Sequence, residues 1–435
     1  KTLEVLVMNL SIIMKQAVST LGIEKLKAYQ VQAIRSILDG QNVFVVLPTS
    51  FGKSLIYQVP QLVKQTGYTL VVEPTLALIH DQVQKLTSKE ISAAYITSQN
   101  KEEHAGILRQ LSTGKLSFLY VTPEQLIYFK DDLPRATKLY HMLLSNPPSF
   151  IAVDEAHCVT TWGNRSFRPS YTQIGNFIDH ISNTLPVIAL TATAPVSYRA
   201  DIAASLRMGD YQEVTTTKTQ RNISILIRDC TGTGIKGRLH QLQKALKQHD
   251  SGGSVIVYCN TPKNVEAVSL FLSKHYDSKQ VCKYHAKMNT KEKNKHEMDF
   301  LTNKKRIMVA SSAFSLGVDK RGITLVIHFN LPLSLIDYYQ QIGRAGRDGE
   351  RAYAVLLYAS ADIDTNQAIL QKPLKSHEDN PTIQQEVSTS LQYFQDFLDV
   401  LASDECIMQQ IQAYLGYDAS KACGHCTVCQ RRKRK

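Results

Sequence analysis

Asn42-Val43-Phe44-Val45-Val46-Leu47-Pro48-Thr49-Ser50-Phe51-Gly52-Lys53-Ser54 joins an unbroken apolar run to a short loop ending in Gly-Lys-Ser. An apolar run without alternation predicts a strand covered on both faces, as in parallel sheets. Residues 55–63 then place apolar side chains at helical spacing. Strand, loop and helix together are the setting in which backbone N–H groups at a helix start face phosphate oxygens. Lys53 is expected to reach the β- and γ-phosphates of a nucleotide, and the Ser54 hydroxyl to hold Mg²⁺. Gly-Lys-Ser alone arises by chance in long sequences, so the reading needs a second half.

That half is Phe150-Ile151-Ala152-Val153-Asp154-Glu155-Ala156-His157. Two carboxylates close a buried strand at its C-terminal end, where ligands sit in open α/β sheets. Asp154 is expected to act on Mg²⁺, and Glu155 to orient or deprotonate an attacking water. A third element, Gln340-Gln341-Ile342-Gly343-Arg344-Ala345-Gly346-Arg347, sets two arginines three apart with a glycine before each. Arg344 and Arg347 can present two guanidinium groups to one phosphoryl group in transfer; taken alone, the stretch equally suits a solvated basic turn.

Outward from these motifs, further apolar runs predict strands at 69–72, 118–121 and 187–190, and a second series at 254–259, 307–310, 325–329 and 354–357. The fold class is therefore α/β, with two parallel-sheet lobes. A polar, Thr-rich passage over 214–221 separates the two series. The expected organisation is an N-terminal helical extension over 1–25, lobe one over 26–213, lobe two over 214–362, a small helical subdomain over 363–430 and a basic tail over 431–435.

The 435 residues carry 50 Lys+Arg against 38 Asp+Glu, a net charge of +12. That balance favours a polyanionic partner such as nucleic acid or an anionic membrane surface. The apolar stretch over 3–14 is interrupted by Glu4, Asn9 and Ser11 and falls short of the roughly 20 residues that cross a bilayer. No membrane partner and an intracellular location, nuclear in a eukaryote, are expected. Beginning on Lys1, the chain reads as a piece of a longer protein. Of eight cysteines, Cys406, Cys423, Cys426 and Cys429 crowd the last 30 residues. Four thiolates at such spacing suit a tetrahedral Zn²⁺ in a closed structural site.

The order and wording of the motifs resemble the RecQ-type DNA helicases of helicase superfamily two. The resemblance rests on Leu26-Lys27-Ala28-Tyr29-Gln30, Glu73-Pro74-Thr75-Leu76-Ala77-Leu78, Tyr120-Val121-Thr122-Pro123-Glu124, Ala189-Leu190-Thr191-Ala192-Thr193-Ala194 and Ala313-Phe314-Ser315-Leu316-Gly317-Val318-Asp319-Lys320. It covers residues 20–430 and implies two RecA-like lobes, a zinc-binding subdomain, ATP and Mg²⁺ as cofactors, and 3′→5′ movement on DNA. The partners it implies are single-stranded DNA and duplex junctions; protein partners stay open. It implies that Gln30 reads adenine, that Thr49, Ser50, Phe51, Gly52, Lys53, Ser54, Gly317 and Asp319 line the nucleotide, and that Thr75 and Thr122 touch DNA. The most diagnostic stretch follows the second motif: His157-Cys158-Val159-Thr160-Thr161-Trp162-Gly163, then Phe167-Arg168-Pro169. Trp162 and Phe167 offer stacking faces for unpaired bases, worth about 1–3 kcal/mol per base, and Arg168 a phosphate contact.

Some positions depart from the family pattern. Ser50 and Phe51 stand where glycines are usual, Pro262 and Gln341 replace an arginine and a glutamate, and Ile407 and Met408 replace two arginines after Cys406. The stretch from Gly163 to Phe167 is one residue longer than usual. His425 is a rival metal ligand that the match sets aside. Two other functions compete with the helicase reading: a nucleic-acid-binding protein whose motor is degenerate through Ser50 and Phe51, and an RNA-directed helicase.

Overall fold

The computed structural model describes residues 12–48, 51–130, 133–160, 168–181, 184–216, 222–276, 278–314, 320–376 and 380–434. The chain folds as two compact units that divide after Thr216. In the first, β1 (Asn42–Val46), β2 (Thr69–Val72), β3 (Ala93–Ile96) and β4 (Phe118–Val121) precede a small hairpin, β5 (Ile127–Lys130) and β6 (Leu133–Ala136). After it come β7 (Phe150–Val153), β8 (Val187–Thr191) and β9 (Tyr211–Thr215). The seven-stranded sheet runs β3-β4-β2-β7-β8-β1-β9 with every pair parallel.

The central strands are buried along their length because their side chains are almost all Val, Ile, Leu, Phe and Ala. Both faces must then be covered, and helices cover them. Ile34 and Ile37 of the helix Ala28–Leu38 and Ile56, Tyr57 and Val59 of the helix Leu55–Lys64 join Val43, Val45 and Leu47 in one core.

The second unit carries β10 (Ile223–Asp229), β11 (Ser254–Tyr258), β12 (Val281–Tyr284), β13 (Ile307–Ala310), β14 (Ile323–His328) and β15 (Ala352–Tyr358). Its six-stranded parallel sheet runs β10-β15-β14-β11-β13-β12. Arg238 and Asp362 form a buried ion pair at 2.9 Å within it. Asp362 also accepts from Asn330 Nδ2 and from the backbone N–H groups of Leu331 and Ala359, tying two loops to one carboxylate. Pro262, placed where the family has arginine, is the first residue of the helix Pro262–His275, where a missing N–H goes unnoticed.

From Ser360 onward the described regular elements are all helical, including Ser360–Gln371, Pro381–Ala402, Ile407–Tyr414 and Thr427–Arg434. Phe397 stacks on Tyr338 at 5.1 Å, docking the longest of these on the helix Leu335–Ile342. Thr427 Oγ1 accepts from the Ile227 backbone N–H at 2.8 Å, so the last helix occupies a hydrogen-bonding position on the edge strand β10. Among the described residues no helix is long and apolar enough to cross a membrane.

Candidate functional site

The Gly-Lys-Ser loop leaves the C-terminal end of β1, and Asp154 leaves that of β7, with only β8 between the two strands. Shared strand direction puts both at one end of the sheet. Lys53 Nζ lies 3.8 Å from Glu155 Oε1, and both side chains are largely buried. Glu155 is held at φ 47°, in the left-handed region that costs a residue with a Cβ about 1–2 kcal/mol. The strain has local compensation. Its N–H donates to Asp154 Oδ1 at 2.8 Å, and the next N–H, of Ala156, donates to the Leu190 carbonyl. His157 Nδ1 sits 2.9 Å from Thr191 Oγ1 and 3.3 Å from Glu155 Oε2, joining the ends of β7 and β8.

Burial pushes the Asp154 carboxyl up to about 6; the Lys53 charge pulls it back and the Glu155 charge adds to the rise. Glu73, which the motif reading left without a role, belongs to the same cluster. It follows β2 as Asp154 follows β7, and Val72 pairs with Val153 in register. Burial raises its carboxyl well above the usual range, and Asp154 and then Glu155 push the same way. The sequence holds the same sign for both residues: a carboxylate directly after an apolar run, Leu70-Val71-Val72 or Phe150-Ile151-Ala152-Val153.

The loop itself is clasped from the helix Ala28–Leu38. Gln30 Nε2 donates to the carbonyls of Phe51 (3.3 Å) and Gly52 (3.1 Å), and Tyr29 Oη donates to that of Phe51 (3.2 Å). Phe51 stacks on Tyr29, with Lys27 Nζ 4.8 Å from its ring centre. Gly52 is required as glycine here: its φ is +78°, and a Cβ would lie 2.6 Å from Gln30 Nε2. Ser54 Oγ accepts from Gln82 Nε2 at 3.3 Å, and Gln82 in turn accepts from Gln58. Thr49 and Ser50 lie outside the described residues.

Of the residues expected at DNA, Trp162 and Phe167 lie outside the described residues. Thr75 caps the helix Leu76–Thr87 by accepting from Leu78 N–H, and Thr122 precedes the helix Pro123–Leu126. Arg168 forms a two-pronged pair with Glu124, both N···O distances 2.6 Å, and also donates to the Pro74 carbonyl. Burial alone would raise the Glu124 carboxyl, but the hydrogen bonds and charge of Arg168 outweigh it and hold the group below its usual value.

In the second unit, Arg344 is buried just after the helix Leu335–Ile342, and Arg347 Nε donates to the Gly343 carbonyl at 3.4 Å. Gly346 between them has φ +63°, and a Cβ there would meet the Glu350 carbonyl at 2.9 Å. Gln341, at the family's glutamate position, bonds His328 Nε2 at 2.8 Å; burial pushes that imidazole down to about 3. Gly317 and Asp319 lie outside the described residues.

The Sγ atoms of Cys406, Cys423, Cys426 and Cys429 lie within 4.8 Å of one another. Tetrahedral Zn–S bonds of about 2.3 Å require sulfurs roughly 3.8 Å apart, and Cys406 and Cys426 stand at 3.9 Å. Backbone N–H groups of Cys423 and Cys426 donate to the sulfurs of Cys406 and Cys423. Such bonds stabilise thiolates, so the donor set fits a closed metal site.

The DEAD/DEAH box helicase family matches residues 27–202, and the helicase conserved C-terminal domain matches residues 237–349. The chain is 32% identical over 418 residues to the ATP-dependent DNA helicase RecQ of Haemophilus influenzae, covering 94% of this chain and 62% of that protein. It thus spans less than two thirds of that relative's length. It is 30% identical over 409 residues to a protein of Acanthamoeba polyphaga mimivirus named as a candidate ATP-dependent RNA helicase, covering 94% of this chain and 70% of that one. The crystal structure of the helicase MrfA bound to DNA aligns with a TM-score of 0.64 at 19% identity, over 83% of this chain and 52% of the other, a likeness of fold.

Proposed function

The chain belongs to the RecQ family of DEAD/DEAH-box helicases, and from that premise we propose that it is a DNA-stimulated ATPase that moves along single-stranded DNA and unwinds duplexes. The observation that carries the reading is the pairing of Lys53 with Glu155 at 3.8 Å beside the buried Asp154, at one end of one sheet. A lysine and two carboxylates so placed can hold a triphosphate and direct water at its last phosphorus.

In this reading Lys53 meets the β- and γ-phosphates, together with N–H groups at the start of the helix Leu55–Lys64. Ser54 and Asp154 would hold Mg²⁺, which supplies positive charge against the phosphate oxygens. Glu155 orients the attacking water and accepts its proton. The resemblance assigns Arg344 and Arg347 to the charge that develops on the transferred phosphoryl group; an arginine in that role is worth about 10³–10⁵ in rate. Cys406, Cys423, Cys426 and Cys429 would hold a structural Zn²⁺. Thr75, Thr122, Trp162, Phe167 and Arg168 are assigned to the single strand, and 3′→5′ polarity follows from the resemblance. Phosphate contacts make binding steeply salt-dependent and largely blind to base sequence.

The name of the mimivirus relative favours a second reading, an RNA-directed helicase. One experiment separates the readings: ATP hydrolysis with no nucleic acid, with single-stranded DNA and with single-stranded RNA, for the native chain and Lys53→Ala. Stimulation by DNA above RNA, abolished in Lys53→Ala, is expected. Stimulation by RNA alone selects the second reading. Undiminished hydrolysis in Lys53→Ala refutes the site.

A further inference from the structure

The polar side chains of Lys27, Tyr29 and Gln30 are all turned onto the phosphate loop. Gln30 is 2% exposed. Both hydrogens of its Nε2 are committed, to the carbonyls of Phe51 at 3.3 Å and Gly52 at 3.1 Å, and its Oε1 accepts from the Lys27 N–H at 2.8 Å. Tyr29 Oη donates to the same Phe51 carbonyl at 3.2 Å. The Lys27 ammonium lies over two rings, 4.8 Å from the centre of Phe51 and 5.8 Å from that of Tyr29. Phe51 is the hub of this clasp. Its carbonyl accepts two of the bonds, and its ring stacks on Tyr29 with 6.4 Å between centres and 25° between planes. Glycine, the usual family residue here, offers the same carbonyl on a freer backbone and no ring. The ring stacking favours the clasped loop by about 2- to 12-fold, and the ammonium above it by about 2- to 5-fold more.

We propose that Phe51 makes this chain weakly selective for the base, so that it takes purine and pyrimidine nucleoside triphosphates alike, held by their phosphates. The inference rests on the reading of the Gly-Lys-Ser loop as the nucleotide site and adds its substrate range. An amide distinguishes adenine by accepting from N6 and donating to N7, and such a pair discriminates about 5- to 150-fold against a wrong base. Gln30 can donate to N7 only by withdrawing a hydrogen from one loop carbonyl. That lost bond weakens the gain by about 2- to 12-fold. Mid-range values, about 30-fold against about fivefold, leave roughly sixfold for adenine. The contacts of Lys53 and the helix-start N–H groups to phosphate are the same whatever the base. The resemblance assigns Gln30 to adenine; in this clasp the amide serves the loop.

The test is displacement of a fluorescent ATP analogue from the zinc-loaded, DNA-free chain in Mg²⁺ by ATP, GTP, CTP and UTP. The four dissociation constants are expected to span no more than tenfold. Gln30→Ala should weaken ATP and GTP by the same factor, within threefold, because it removes a clasp and not a base contact. Phe51→Gly frees the amide and should widen the preference for ATP over GTP at least threefold. The ratio of kcat/KM for DNA-stimulated hydrolysis of ATP and GTP should follow these binding ratios. A thermal melt checks each variant, and Phe51→Leu, which keeps an apolar side chain without a ring, carries the comparison should Phe51→Gly not fold. A native preference for ATP beyond tenfold overturns the proposal. So does a Gln30→Ala loss more than threefold larger for ATP than for GTP, or a ratio that Phe51→Gly shifts by less than threefold. Any of these with the analogue bound removes only this inference; a native chain that binds no analogue removes the nucleotide-site reading itself.

Discussion

Replacing Gly52 by alanine isolates what the phosphate loop needs from its backbone. Gly52 has φ +78°, and an added Cβ would lie 2.6 Å from Gln30 Nε2 and 3.4 Å from a Leu55 methyl. The backbone term is about 1–2 kcal/mol for a residue with a Cβ in the left-handed region. The contact term follows from the displaced amide: Gln30 must give up its bonds to the Phe51 and Gly52 carbonyls, each worth about 0.5–1.5 kcal/mol net. The sum is roughly 2–5 kcal/mol against this loop shape. At about 1.4 kcal/mol per tenfold, nucleotide affinity falls some 30- to 4,000-fold where binding requires the shape. Titration with a fluorescent ATP analogue reads that loss, and a thermal melt confirms that the unit is folded. Gln30→Ala surrenders the same two bonds, so the double variant should lose less than the sum of the singles. The expected coupling is about 1–2 kcal/mol. Affinity of Gly52→Ala within threefold of native, or strict additivity in the double variant, would refute the clasp.

Three further outcomes follow from other parts of the molecule. Asp362→Ala strands Arg238 and three loop donors inside the second unit; a urea titration should register a loss of about 3–5 kcal/mol, and a loss under 1 kcal/mol would show the pair to be incidental. Stripping zinc with a strong chelator should unfold the cysteine-bearing segment, exposing Lys421 and Arg431 to trypsin, whereas an unchanged digest after verified metal release would contradict a structural site. The lowered Glu124 carboxyl gives a signed pH effect: its pair with Arg168 is fully stabilising above the unfolded value of about 4.5 and is lost as pH falls through the lower folded value. Native protein should therefore lose melting temperature between about pH 5 and pH 3 more steeply than Glu124→Gln; parallel curves would assign the pair no role in stability.

The legibility of this chain divides by position in the sheets. Strands β1, β2, β4, β7 and β8 of the first unit, and β11, β13, β14 and β15 of the second, announce themselves as apolar runs. In the two large sheets, the four strands that sequence reading passes over are β3, β9, β10 and β12, and these are their four edge strands. Tyr211-Gln212-Glu213-Val214-Thr215 buries only Val214 fully, and Ala93-Ala94-Tyr95-Ile96 only Ile96. An edge strand meets solvent on one side, so nothing compels an unbroken apolar run. For this reason the last two residues of β9, Val214 and Thr215, read in the sequence as the start of the Thr-rich passage between the lobes.

The same physics explains why the site is more legible than the sheet's outline. Ligands in such folds gather beyond the C-terminal ends of strands near the sheet centre, and those strands are the most uniformly apolar. A polar residue that ends such a run therefore stands out against it, as Asp154 does after β7 and Glu73 after β2. What stays hidden is partnership. Arg168 and Glu124 are 44 residues apart, and no local pattern joins a basic residue expected at phosphate to the carboxylate that holds it. The pairing matters to function, because a guanidinium bound at both prongs can meet a nucleic-acid phosphate only by sharing its donors or releasing Glu124. Glu124→Gln, which weakens the hold without removing Arg168, should therefore raise affinity for single-stranded DNA at low salt and steepen its salt dependence. Unchanged binding would mean that Arg168 is a positioning residue for the Pro74 carbonyl and the loop it belongs to.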